Sequence, residues 1–187
     1  MAAVGERLPR AERARLILKA AARVFAEDGF AAASMDGIAA QAGITKAILY
    51  RHFESKQELF DAVLDSFRRR LRSELGQPGL APREAVPKLL AVAREDPDGF
   101  TLFFEHRGAS LHEAPSSDMP LGQEIAKWIR DPVMQRWAWQ AIRPLILSAI
   151  GVWLKVGSPD RDELFLTRLE SLLVAIARPD VAERSAQ

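Results

Sequence analysis

The sequence has no cysteine, no long apolar segment and no sustained alternation of apolar and polar residues. Without cysteine there is no disulfide framework and no thiolate chemistry, which suits a reducing, cytoplasmic setting. The longest apolar run, Pro144 to Leu154 (PLILSAIGVWL), is too short to cross a bilayer and reads as a buried helix, so no membrane partner is expected. The N-terminal MAAVGERLPRAERARL is charged and holds no apolar signal core. Without alternating β-branched runs there is no sheet to expect, and the fold class is all-α.

Signs of catalysis are missing as well. No phosphate loop and no nucleophile–base constellation is present, so an enzyme is not expected. Glu105, His106, His112 and Glu113 straddle a loop at a spacing that suits no metal site, and neither a metal nor another cofactor is expected. A strong charge of one sign is also lacking: the 187 residues carry a net +1. Its distribution is uneven, with 13 Lys and Arg against 10 Asp and Glu in residues 1–75, and 13 against 15 beyond. That asymmetry alone does not establish nucleic-acid binding.

What is present is helical periodicity. A first helix is expected over 10–28, with Ile17, Ala20, Ala21, Val24 and Phe25 on one face and Gly29 as its stop. Ser34 then caps a short helix, 35–42, ended by Gly43, and a second short helix follows over about 45–52. Ser55 and Glu58 form a capping box before the stripe Leu59, Phe60, Val63, Leu64, Phe67 and Leu71, giving a helix over 55–75. The glycine- and proline-rich stretch at 76–82 marks a joint. Beyond it, Pro82, Pro97, Pro132 and Pro159 sit at helix starts, implying helices near 82–94, 97–107, 132–155 and 159–177. Another is expected over 122–130, and 108–120 reads as a loop.

Two short helices crossing at Ala39 and turning on Gly43 follow helix-turn-helix logic, whose second helix enters a DNA major groove. An αα corner built only for packing has the same spacing. The outer face of the second helix favours DNA: Lys46, Ala47, Tyr50 and Arg51 stand where a structural helix would carry interchangeable charges. Tyr50, the one tyrosine in the chain, is either a phosphate donor or a core residue with a satisfied hydroxyl. Lys56 opens a helix whose dipole repels it, which suggests a counter-charge for a docked phosphate or a solvated surface lysine.

From Phe25 to Phe60, FAEDGFAAASMDGIAAQAGITKAILYRHFESKQELF resembles the tetracycline-repressor (TetR) family of bacterial transcription regulators. The likeness rests on Ile38-Ala39, Ala42-Gly43-Ile44, Leu49-Tyr50, His52-Phe53, Ser55-Lys56 and Leu59-Phe60, and covers about residues 10–72. It implies an N-terminal three-helix DNA-binding domain and a C-terminal helical domain that binds a ligand and dimerises. The implied phosphate contacts are Ser34, Thr45, Tyr50, His52 and Lys56, and the implied base readers are Lys46, Ala47 and Arg51. Ala47 and Ile48 depart from the glycine and threonine common at those places, so base preference does not carry over.

The resulting division is a basic arm at 1–9, a DNA-binding domain at 10–75 with the linker helix included, and a ligand-binding and dimerisation domain at 76–187. Arg7, Arg10, Arg13 and Arg15 either reach DNA or belong to a solvated tail. Helix 132–155 is apolar on more than one face and so is expected to bury two sides, core and partner. The expected dimer residues are Ile150, Trp153, Phe165, Leu169, Leu172, Leu173 and Ile176. Pro144 is expected to kink or break that helix. Phe100, Phe103, Phe104, His106, Arg107, Met119, Trp128, Met134 and Trp137 are candidates to wall a pocket for a small apolar or aromatic ligand. The leading expectation is a dimeric, ligand-responsive repressor on a palindromic double-stranded operator. A DNA-bound interaction protein whose C-terminal domain takes a protein partner is the alternative.

Overall fold

The computed structural model describes residues 9–77, 80, 82–106 and 131–177. The helix expected at 122–130, the loop at 108–120, and Arg7 of the basic arm lie outside the described residues. The regular elements are helical throughout those residues: α1 (Arg10–Ala32), α2 (Met35–Gln41), α3 (Lys46–Tyr50), α4 (Lys56–Leu75), α5 (Pro82–Glu95), α6 (Pro97–His106), α7 (Pro132–Val156), a 3-10 turn (Pro159–Arg161) and α8 (Asp162–Ala177). No helix among them is long and apolar enough to cross a membrane.

Two compact units result, residues 1–69 with 98–103, and residues 70–97 with 104–187. The division falls inside α4 rather than at the Gly76 breaker. Within the first unit the Phe67 ring lies 6.4 Å from Phe100 and 5.3 Å from Phe103, so the middle of α6 belongs to that core.

In the first unit, Ile17, Ala21 and Phe25 of α1, Ile38 and Ala39 of α2, Leu49 of α3, and Leu59, Phe60, Val63 and Phe67 of α4 are buried. Each such large side chain contributes roughly 1.5–3 kcal/mol on leaving water. The regular part of α1 breaks at Gly29 (φ 75), as expected from its position, and a further turn, Phe30 to Ala32, follows. That break swings Phe30 back over Phe25 at 5.9 Å and against Phe60 at 5.0 Å.

In the second unit, Asp131 caps α7, its carboxylate accepting from the Val133 and Met134 amides. The helix then runs as one element through Pro144, which lies on the exposed side, so the expected break is not found. Ala138, Trp139, Ile142, Ile146 and Ile150 form its buried stripe, facing a core shared with Leu89, Leu90, Val92 and Ala93 of α5 and Leu169 of α8. Asp162, at the start of α8, receives the Arg94 guanidinium and, at 2.7 Å, the Trp153 indole N–H. Trp153 also stacks on Phe165 at 4.7 Å. Gly157 belongs here sterically, because a Cβ at that position would run into the Trp153 ring.

Candidate nucleic-acid interface

The α2–α3 pair is made by local chemistry. The Ser34 hydroxyl accepts from the Gly37 amide at 3.0 Å and starts α2. Gly43, at φ 65, takes the left-handed conformation that the turn needs and that a side chain would resist. The Ile44 amide then donates to the Ala39 carbonyl at 3.0 Å, and the Thr45 hydroxyl caps α3 through the Ile48 amide at 3.3 Å. Both cap hydroxyls act here as acceptors, which leaves each O–H available to a phosphate. Both residues are exposed.

With Leu49 fully buried and Ile48 half-buried, α3 turns Lys46, Ala47 and Tyr50 outward, with Arg51 following at its end. Tyr50 is 43% exposed, so the core reading of this tyrosine is not what the structure shows. Lys46 reaches back to Asp36 in the first turn of α2, at 2.8 Å, tying the starts of the two helices together. That hydrogen bond and charge hold the lysine's pKa above its ordinary value.

His52 is half-buried just beyond α3. Its burial, then the positive charges of Arg10, Arg13 and Arg51, hold its imidazole below the usual value. Arg10, Arg13 and Arg15 belong to the first turns of α1 rather than to a tail. Together with Arg51, Arg10 and Arg13 give this end of the unit a positive field, which is the electrostatic requirement for approaching a phosphate backbone.

Lys56 departs from expectation. Its ammonium donates to the carbonyls of Phe30, Ala31 and Ala33 at 2.7, 3.2 and 2.9 Å, and sits 4.7 Å above the Phe30 ring. All three N–H groups are thus engaged within the protein, not held out for a phosphate. The neighbouring cap is present in a shifted form: Ser55 accepts from the Glu58 amide at 3.1 Å, while the Glu58 carboxylate accepts from the Glu54 amide at 2.6 Å instead of that of Ser55.

Of the candidate pocket residues, Phe100, Phe103, Phe104, Met134 and Trp137 have described side chains. Phe100 and Phe103 are committed to the Phe67 cluster in the first unit. Phe104 is half-buried, while Met134 and Trp137 are exposed on α7. Arg107, Met119 and Trp128, like the side chain of His106, lie outside what the structure describes.

The candidate dimer residues need sorting. Ile150 is fully buried and Leu169 nearly so within a single chain, so both are core and unavailable to a partner. Trp153 and Phe165 are half-buried against each other, Leu173 and Ile176 are half-buried, and Leu172 is exposed. Val152, Val156 and Leu164, which are not among the candidate dimer residues, are exposed as well. Val152 and Val156 are spaced i, i+4, but an all-round apolar helix does not say which side faces its own core.

A family model described as bacterial regulatory proteins, tetR family, matches residues 17–63, from the buried face of α1 into α4. The HTH-type transcriptional activator FasR of Mycolicibacterium smegmatis is 40% identical over 109 residues, 54% of this chain and 50% of that protein. The chain therefore matches only half the activator's length. An HTH-type transcriptional repressor of Mycobacterium tuberculosis is 30% identical over 154 residues, 76% of this chain and 80% of the repressor. In structure the chain is similar to a TetR-like transcriptional regulator from Rhodococcus sp. RHA1, with a TM-score of 0.58 and 27% identity, covering 91% of this chain and 96% of that one.

Proposed function

The chain belongs to the tetR family of bacterial regulatory proteins, transcriptional regulators rather than enzymes, and from that premise we propose that it is a ligand-responsive repressor acting on a palindromic operator as a homodimer. One observation carries the DNA-reading part: the capped helix α3 buries Leu49 and turns Lys46, Ala47, Tyr50 and Arg51 outward, next to His52, which feels the positive charges of Arg10 and Arg13. Lys46, Ala47 and Arg51 are the base readers. Ser34, Thr45, Tyr50 and His52 fix the register through phosphates.

Repression rather than activation is favoured by extent. The match to the mycobacterial repressor takes in 76% of this chain, whereas the match to the activator takes in 54%. Dimerisation is favoured by the exposed apolar residues Val152 and Val156 of α7 and Leu164 and Leu172 of α8, side chains that cost free energy while they face water. Two copies related by a two-fold axis would read half-sites about 34–36 Å apart.

The ligand is a small apolar or aromatic molecule held by the second unit. Linkage requires operator and ligand to weaken each other's binding by one common factor. Calorimetric titration of a ligand captured from the expression host, with and without the operator duplex, tests this. Equal affinities in the two titrations would remove ligand response from the reading.

A further inference from the structure

We propose that Lys56 is a positioning residue that clamps the α1–α2 junction, and with it Ser34, onto the start of α4, and that it does not contact DNA itself. The proposal rests on the DNA-reading function argued above.

The geometry answers an electrostatic puzzle. A lysine at the first position of α4 is repelled by that helix's own dipole. In space, however, it lies at the end of α1, where the break at Gly29 and the turn after it leave carbonyls without helical partners. That end carries partial negative charge, so the cation has the favourable sign there. The ammonium's three donors meet three carbonyls, those of Phe30, Ala31 and Ala33. The last of these immediately precedes Ser34, the cap of α2 and a proposed phosphate contact. The lysine also lies over Phe30, whose ring packs on Phe25 of α1 and Phe60 of α4. One side chain thus satisfies the end of α1 and fixes where α2 begins.

Two variants of the full chain test this, Lys56→Arg and Lys56→Met, at a temperature where circular dichroism shows wild-type helix content. The probe is the duplex that the wild-type protein recovers from a randomised library, titrated by fluorescence anisotropy across a potassium chloride series. A guanidinium serves a phosphate at least as well as an ammonium, but its planar fork does not place three donors on one nitrogen. The clamp therefore predicts that both variants bind at least about tenfold more weakly, with the wild-type salt slope retained. Wild-type affinity in either variant, or a slope lowered by about 0.9 in the methionine variant, would overturn it.

Amide hydrogen exchange without DNA gives a second readout, for the arginine variant in particular. Faster exchange confined to residues 30–38, with α7 unchanged, is expected, and unchanged exchange at 30–38 would also overturn the clamp. Should the wild-type protein recover no duplex, the DNA-reading function fails while the exchange result still decides the clamp.

Discussion

The Lys46 ammonium, at the first residue of α3, lies 2.8 Å from one carboxylate oxygen of Asp36 and 3.0 Å from the other. The charge of the proposed base reader is therefore partly cancelled within the protein. On the proposed reading Asp36 gives up this partner when Lys46 enters a groove, which penalises any site that offers nothing in exchange.

Asp36→Asn should raise affinity for random duplex severalfold while loosening the selected consensus, because the lysine is then free to serve any phosphate. Both side chains are mostly exposed, so thermal stability should hardly move. Competition binding with operator and random duplex checks both effects. Wild-type discrimination in the variant would mean that the pair has no part in specificity.

His52 supplies a pH dependence of opposite sign in two measurements. In the free protein, burial and then Arg10, Arg13 and Arg51 hold its pKa below the ordinary 6.5. The unfolded chain therefore takes up the proton more readily, and stability from this group is lost as pH falls through the usual imidazole range. A phosphate beside the ring favours the protonated form, so binding takes up a proton and affinity rises as pH falls over the same range. His52→Gln should flatten both profiles. An operator affinity that keeps its pH profile in the variant would remove His52 from the interface.

Leu172 and Leu169 sit three residues apart on α8 and should behave differently. Leu172→Glu places charge on the exposed face and should give helical monomers that lose the operator. Leu169→Ala hollows the chain's own core and should cost roughly 2–5 kcal/mol of stability. Sedimentation and urea unfolding separate the two effects. An intact dimer in Leu172→Glu would move the interface elsewhere.

Asp162 ties α5, α7 and α8 through Arg94 and Trp153. The Arg94 hydrogen bonds, followed by that of Trp153, hold its carboxyl below the ordinary range against the opposing effect of burial. Its stabilisation is therefore present above the usual carboxylate pKa and lost as pH falls through the lower folded-state value. Asp162→Asn should cost about 1–2 kcal/mol at neutral pH, allowing for the partly exposed pair. It should also blunt the acid-induced fall of the urea midpoint, and an unchanged midpoint at neutral pH would show the cluster to be dispensable.

The parts of this fold legible in sequence are those written in neighbouring residues. Ser34 and Ser55 announce helix starts because a cap bonds two or three positions along the chain, whereas the cap at Thr45 came from the structure. Gly43 announces the turn because few other residues accept its φ. What stayed illegible depends on distance through space. The carbonyls that receive Lys56 lie more than twenty residues upstream, so its position read as a broken rule. Nothing local reveals that Phe100 and Phe103 pack against Phe67, which lies more than thirty residues upstream. On α7, Ile150 and Val152 are equally apolar in sequence, and only the packed chain separates core from surface.

The most direct test of the central claim is selection from a randomised duplex library by the wild-type protein, Lys46→Ala and Arg51→Ala in parallel. If α3 reads base edges, the wild-type protein enriches a palindrome. Each variant should then relax or change the consensus at its own positions in both half-sites, at about 1–3 kcal/mol of discrimination per lost bidentate contact. The same consensus from all three proteins, or no enrichment by the wild type, would contradict the account.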